Sequence, residues 1–308
     1  MTYEDSYLTP PINDEKKYKF RELKVYASTE WLADNKKKYR HVFDRYETTY
    51  IYAELSLHNK EFDREDWDIE VELRCFTLKK GKTELCVLPF KRKVSRYDHV
   101  IYVREGWGNK KEGHFWKKGM YSWEAWVDGE KVATKDFDIE DAGRQIDIDE
   151  NPYVEVQSLR LYEGPYDDVP ESSRVYYRSF HGEETRYIYA EIILQNLNVK
   201  NIWQSEFFIK FFNDACELKG QIVRLQRIEK KEDTVVITAG WGSNVKGSWR
   251  KDRYTCQLVF MDRLLATIPF VVGDAFEEGS VGMFVPNHDF GSEFEEILED
   301  DSHTFEEV

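Results

Sequence analysis

Apolar residues recur at every second position in several stretches of the chain. In one of them Ile51, Ala53, Leu55 and Leu57 alternate with polar side chains, and residues 188–194 repeat the alternation. A period of two is typical of a half-buried β-strand. No long segment shows the 3.6-residue period of an amphipathic helix. The pattern therefore predicts antiparallel strands along most of the chain.

The strand-like segments occur twice, in the same order. "TYIYAELSLHN" at 49–59 returns as "RYIYAEIILQN" at 186–196, which is 137 residues later. The later matches keep an offset between 137 and 133: Trp67 with Trp203, "GWG" 106–108 with 240–242, Trp116 with Trp249, and Tyr121 with Tyr254. Self-similarity at a fixed offset indicates a tandem duplication.

Each copy contains about seven strand-like runs in ~125 residues, which favours a two-sheet sandwich. We predict an all-β protein of two tandem immunoglobulin-like antiparallel β-sandwiches. The predicted order is an extended N-terminal arm (1–18), repeat 1 (19–145), repeat 2 (152–274) and an acidic tail or linker (275–308). "VDGEKV" at 127–132 predicts a hairpin, because Asp-Gly favours the type I′ turn.

Two tyrosines sharpen the fold prediction. Tyr121 and Tyr254 each stand two residues before a core position on the penultimate strand, which resembles the immunoglobulin tyrosine corner. Trp67 and Trp203 occupy the place of a core tryptophan at the start of the third long strand. Cys256 has no partner in the strand that would supply one, so the resemblance is to the general sandwich and not to antibody-type domains.

Two glycine-containing stretches imitate phosphate-binding loops. "GWGNKKEG" at 106–113 loses its clustered lysines in the second copy, and "GKT" at 81–83 lacks an upstream glycine. A P-loop needs Lys and Ser/Thr after its last glycine and a helix thereafter. We interpret "GWG" as the end of a strand whose tryptophan covers the end of the sandwich.

The segments after the first strand of each copy differ. Residues 28–47 form a charged insertion, in which we expect a short helix capped by Ser28 or Thr29. We expect the counterpart, residues 163–184, to be a loop, because it is richer in Pro, Gly and Asp.

Charge is concentrated at one end of the chain. Of the net charge of −15, the last 35 residues contribute 12 acidic residues and no Lys or Arg, whereas residues 151–273 carry 16 of each sign. Neither half has the basic surplus expected of a nucleic-acid-binding domain. The N-terminus lacks a signal-like apolar stretch, and no run approaches the length of a membrane helix. We expect a cytoplasmic protein that binds neither nucleic acid nor membrane.

No cofactor or metal site is expected. The four cysteines form no CxxC pair and the seven histidines are scattered, so the cysteines are interpreted as isolated apolar residues of a reduced protein. Acidic runs such as "DREDWD" at 63–68 are interpreted as solvated surface. With no nucleophile–base pair in the sequence, we expect no catalytic residues and no enzymatic activity in this chain.

The doubled "YIYAE…N…W…GWG…W" pattern, together with the ending "SHTFEEV" at 302–308, resembles the N-terminal region that precedes AAA+ ATPase domains in certain large bacterial proteins. The resemblance covers the whole chain. It implies that nucleotide hydrolysis belongs to a downstream ATPase module and that this region takes part in a larger assembly.

The function we predict is that of a non-enzymatic adaptor that recognises a protein partner or substrate for a linked or associated AAA+ ATPase. Trp126, on the predicted solvent face, and Trp31, in the charged insertion, are the candidate protein-binding residues, because aromatic residues are favoured interface anchors. The alternative for Trp126 is burial against the neighbouring sandwich or the arm, and for Trp31 packing onto its own domain. The alternative function is a carbohydrate-binding β-sandwich module, suggested by nine tryptophans and 19 tyrosines.

Overall fold

A computed structural model describes residues 16–28, 37–79, 81–141, 153–261, 263–280 and 282–285. The chain divides into two compact units, residues 1–144 and 145–308. Most of the predicted N-terminal arm, the segment between the repeats and the acidic tail beyond residue 285 lie outside the described residues. So does the position predicted for a capped helix after Ser28.

In the first unit the described residues form eight strands. They are β1 (Tyr18–Ser28), β2 (Val42–Asp44), β3 (Tyr50–Asn59), β4 (Trp67–Thr77), β5 (Thr83–Val94), β6 (Val100–Gly108), β7 (Gly119–Val127) and β8 (Glu130–Glu140). One sheet has the order β1-β3-β6 and the other β2-β8-β7-β4-β5. The alternating apolar residues of both sheets form one core, which includes Ile51, Leu55, Leu73 and Trp123.

The second unit repeats this arrangement. Its strands are β9 (Val154–Gly164), β10 (Tyr177–His181), β11 (Tyr187–Asn196), β12 (Trp203–Asn213), β13 (Leu218–Ile228), β14 (Thr234–Gly242), β15 (Asp252–Phe260), β16 (Arg263–Gly273) and β17 (Glu277–Glu278). The sheets have the orders β14-β11-β9 and β13-β12-β15-β16-β10-β17. The predicted pair of immunoglobulin-like β-sandwiches is confirmed.

Local predictions are confirmed at several points. Asp128 and Gly129 both have positive φ and join β7 to β8, as the Asp-Gly hairpin required. "GWG" ends β6 and β14, and "GKT" leads into β5.

Each unit also contains a strand pairing that the sequence did not predict. β2 pairs with β8 and β10 pairs with β16 in parallel. The prediction of a loop at 163–184 was therefore wrong at β10, and the insertion 28–47 contains β2. In both units the chain passes from the three-stranded sheet to the larger sheet after its first strand. A strand that follows such a crossover can pair in parallel with a long strand of the larger sheet. These strands are only three and five residues long, too short for the alternation to be recognised.

The side chains repeated in both copies hold the framework together. Asn59 Oδ1 accepts a hydrogen bond from the Trp67 indole at 3.0 Å, and Asn196 Oδ1 accepts one from Trp203 at 3.3 Å. These hydrogen bonds satisfy the buried indole N–H groups, which are costly to leave unpaired. The repeated Asn and Trp are therefore structural.

The tyrosine corner is present in both units. Tyr121 Oη donates to the carbonyl of Lys117 at 2.8 Å, and Tyr254 Oη donates to the carbonyl of Arg250 at 3.0 Å. In each unit the bond ties the start of the penultimate long strand to the loop before it, as in other immunoglobulin-like sandwiches.

Candidate functional site

The structure places one of the two candidate residues. Trp126 lies on β7 with its side chain on the outer face of the five-stranded sheet, because Tyr121, Trp123, Ala125 and Val127 fill the inner face. Its side chain is half-buried. Trp31 lies outside the described residues.

The Trp126 indole is held by two neighbours on the same face. Its Nε1 donates a hydrogen bond of 3.0 Å to Glu124 Oε2. The Arg74 guanidinium, on β4, lies 4.3 Å from the ring centroid in a cation–π contact. Arg74 is fixed in turn by Glu72, which accepts from its Nε at 2.9 Å.

Glu124 is the centre of this arrangement. Lys82 Nζ lies 2.5 Å and Lys131 Nζ 3.1 Å from Glu124 Oε1. The Glu124 side chain is only 2 % exposed, while those of Lys82 and Lys131 are 46 % and 47 % exposed. We call these five residues, Arg74, Lys82, Glu124, Trp126 and Lys131, the Trp126 cluster.

Electrostatics keep Glu124 ionised. Burial works to raise the pKa of Glu124, but hydrogen bonds from Lys82, Lys131 and Trp126 outweigh it and hold the pKa below its usual value. A carboxylate that stays charged and accepts three hydrogen bonds is not poised to transfer a proton near neutral pH. The cluster therefore positions an aromatic ring and two ammonium groups on the outer face of the sheet.

Among the described residues of the second unit, the Trp126 cluster is not repeated. β12 and β15 pair in the same register as β4 and β7, so that Val259 lies opposite Phe208 as Trp126 lies opposite Glu72. The registers give the counterparts, which are Val259 for Trp126, Gln257 for Glu124 and Lys210 for Arg74. The same sandwich thus forms without the cluster.

A different buried carboxylate is present in both units. Glu54 on β3 accepts from Lys37 Nζ at 2.7 Å and from Tyr39 Oη at 2.9 Å, and forms an ion pair with Arg104 at 2.7 Å. Its side chain is 7 % exposed, although it belongs to the polar face of the alternation. The segment that carries Lys37 and Tyr39 covers this face.

Glu191 on β11 repeats the arrangement. It accepts from Arg174 Nη1 at 2.5 Å, from Tyr176 Oη at 2.9 Å and from Arg160. Burial works to raise the pKa of Glu191, but the bonds from Arg174, Tyr176 and Arg160 lower it overall. The duplicated "YIYAE" was the sequence signal for this carboxylate, and its occurrence in both copies indicates a structural role.

Other site chemistry is limited in the part of the chain that the structure describes. Within those ranges no group of three or more His, Cys, Asp or Glu side chains could hold a metal ion. Nor does any described helix have the length and apolarity to cross a membrane. Trp126 stays a predicted binding residue, and the sequence did not indicate that Arg74, Lys82 and Lys131 lie near it, because their proximity depends on the strand register.

Comparisons with known proteins concern the fold alone. No family model and no curated protein matches the chain. Among solved structures, a glycosyl hydrolase family 2 member from Bacteroides cellulosilyticus has 8 % identity and a TM-score of 0.28, over 84 % of this chain and 35 % of that one. The native conformation of E. coli alpha-2-macroglobulin has 9 % identity and a TM-score of 0.24, over 85 % of this chain and 17 % of that one. The chain thus spans about a third or less of the length of these proteins.

Proposed function

We propose that this chain is a non-enzymatic protein-interaction module that binds a partner through the Trp126 cluster. The observation that carries the proposal is the contrast between the two copies: the side chains that hold the sandwich together are repeated, and the Trp126 cluster is not. A tryptophan that an arginine and a carboxylate hold in one orientation is already ordered before a partner binds, so that little side-chain entropy is lost on binding. Trp and Arg are also the residues most enriched at binding hot spots.

The two exposed lysines of the Trp126 cluster, Lys82 and Lys131, favour an acidic partner. The ammonium groups of Lys82 and Lys131 share one carboxylate, Glu124, and both side chains are about half exposed. A partner that packs on the Trp126 ring and presents its own carboxylate to these lysines would complete the charge balance. We further propose, from the sequence resemblance, that the partner or its complex includes an AAA+ ATPase module for which this chain is the adaptor.

The test is affinity capture with the full chain and two variants. Trp126→Val installs the residue of the second copy, and Tyr97→Val is the matched control, because Tyr97 is 70 % exposed in the turn between β5 and β6. We expect a set of captured proteins that wild type and Tyr97→Val share and that Trp126→Val loses, with affinity reduced by at least tenfold. The same captured set with all three proteins would refute the role of Trp126.

The ATPase proposal has its own readout. The captured complex is assayed for ATP hydrolysis and its members are identified by mass spectrometry. A partner that depends on Trp126 but brings no ATPase would leave the interaction module standing and remove the adaptor role.

Carbohydrate binding is the second candidate function, because two aromatic rings are strongly exposed. Tyr97 and Tyr166 are 70 % and 68 % exposed, and such rings can stack on sugars. A glycan array with the full chain tests this alternative. Binding that Tyr97→Ala or Tyr166→Ala abolishes would favour it over the protein-interaction module, and an array without any bound glycan would eliminate it.

A further inference from the structure

Two of the four cysteines face each other across neighbouring strands. The β4–β5 register places Cys75 directly opposite Cys86. Both are free thiols, both belong to the core of the first unit, and they are 0 % and 9 % exposed. Their burial as free thiols agrees with the sequence interpretation of apolar, reduced cysteines. That they face each other was not predicted, because ten residues of chain lie between them and only the strand register brings them together.

Their backbone positions are suitable for a covalent link. Residues directly opposite each other in an antiparallel pair have Cα atoms about 4.5–5.5 Å apart. Disulfides span Cα separations of about 4.4–6.8 Å. Both side chains point to the core face, so the two thiols lie on the same side of the sheet at facing positions, next to a register shift between Cys75 and Phe76.

The second unit shows that the fold does not require thiols at this place. Its register puts Phe211 opposite Gly220 at the corresponding position. The Trp241 ring lies over Gly220, so close that a Cβ there would be 2.4 Å from the indole. Apolar packing alone thus fills the site in one copy, while the other copy has two thiols.

We propose that Cys75 and Cys86 form a dithiol site that closes to a cross-strand disulfide by exchange with a low-molecular-weight disulfide such as oxidised glutathione. The thiolate of Cys86, the more exposed of the two, attacks the small disulfide, forms a mixed disulfide and releases one reduced thiol. Cys75 then attacks the Cys86 sulfur and releases the second. Two protein S–H bonds are lost, one S–S bond forms, and the two electrons and two protons end on the two released thiols.

The consequence is a covalent tie between an edge strand and its neighbour. β5 lies at the edge of the five-stranded sheet, and its pairing with β4 would no longer fray at Cys86. Arg74, which holds Trp126, is adjacent to Cys75. The tie would therefore lie directly beneath the Trp126 cluster, although the proposal does not depend on the proposed function of that cluster.

The experiment brings the full chain to equilibrium in glutathione buffers of stepwise increasing oxidised fraction. Burial raises the pKa of Cys86 to about 11, which makes exchange slow in the folded state, so a second sample is refolded in each buffer. Remaining thiols are alkylated in denaturant, counted by intact mass and located by peptide mapping. We expect two of the four cysteines to become protected and a linked peptide that contains Cys75 and Cys86.

Two cysteine variants and the peptide map of the wild type show which cysteines form the disulfide. Cys216→Ser removes the exposed thiol and should still show the loss of two thiols, whereas Cys86→Ser should show none. If Cys86→Ser fails to fold, the linked peptide of the wild type decides alone. A pair that stays reduced after refolding across the buffer series, or a link to Cys216 or Cys256, would overturn the proposal.

Discussion

The two units have the same structural hydrogen bonds but different outer faces on their larger sheets. Both contain the Asn–Trp bond, the tyrosine corner and a buried carboxylate held by a tyrosine and two cations. On the outer face, the first unit has the Trp126 cluster where the second has Val259 and Gln257. The repeated residues indicate what a sandwich of this kind needs, and the unrepeated ones show where the two copies differ beyond that framework.

The edge strands differ in the same way. β5 and β13 are the edges of corresponding sheets. Pro89 and Lys91 on β5 correspond to Val223 and Leu225 on β13, which are 38 % and 41 % exposed. Proline and lysine are typical protection against edge-to-edge pairing, so the edge of the first unit is better protected than that of the second.

The largest expected loss of stability in either unit follows substitution of the last glycine of "GWG". A Cβ on Gly108 would lie 2.1 Å from the Thr49 carbonyl oxygen, and one on Gly242 would lie 2.0 Å from that of Arg186. We expect Gly108→Ala and Gly242→Ala each to lower the free energy of unfolding of its own unit by about 4 kcal/mol. Hydrogen exchange, read peptide by peptide in the full chain, measures this.

Gly129→Ala is the control for these two variants. Gly129 also has positive φ, but nothing lies within 4 Å of a Cβ there, so only the backbone strain of about 1 kcal/mol applies. A large effect in one unit and none in the other would contradict the structural equivalence of the copies.

The buried carboxylates should give the next largest effect. Glu191→Gln and Glu54→Gln remove the charge that holds two cations in each unit, which costs about 3 kcal/mol at neutral pH. Glu229→Gln, which disrupts only the exposed ion pair with Arg227, should change stability by less than about 0.5 kcal/mol.

The sign of the pH dependence follows for Glu191, whose pKa is lowered in the folded state. Its contribution is complete above the unfolded pKa of about 4.3 and is lost as the pH falls through the folded value. Denaturant unfolding of wild type and Glu191→Gln between neutral and acidic pH should therefore show curves that converge below about pH 4. Curves that stay parallel would show that the ionised carboxylate is not the source of the stability.

The Asn–Trp bond should contribute less. Asn59→Ala and Asn196→Ala each leave a buried indole N–H without its acceptor and also remove the hydrogen bonds between the Asn side chain and nearby backbone groups, at a total cost of about 2 kcal/mol. The exposed Asn201, replaced by Ala, serves as the control. Amide hydrogen exchange should become faster by the same factor in the two units. An increase in only one unit would show that the Asn–Trp bond stabilises one copy and not the other.

Much of the fold could be predicted from the sequence because period-two alternation and duplication are local signals. They gave the sandwich pair, the Asp128-Gly129 hairpin and the ends of β6 and β14. The parallel strands β2 and β10 could not be predicted, since three to five residues carry too little periodicity. For the candidate site, the sequence suggested Trp126, whose role in binding stays a prediction. Its neighbours Arg74 and Lys82, like the facing of Cys75 and Cys86, depend on strand register, which the sequence of one strand does not contain.

The smallest expected effect is the most informative about function. Trp126→Val replaces a half-buried ring by the residue of the second copy and leaves Glu124 with both lysines. The lost indole hydrogen bond and cation–π contact should lower the free energy of unfolding by about 1 kcal/mol. The reciprocal change, Val259→Trp, inserts a ring at a site that is only 8 % exposed and should cost about 1–3 kcal/mol through overpacking. Denaturant unfolding of the two variants measures this asymmetry. A loss of several kcal/mol in Trp126→Val would mean that the tryptophan is part of the framework of the first unit, and the contrast between the copies would then no longer indicate a binding surface.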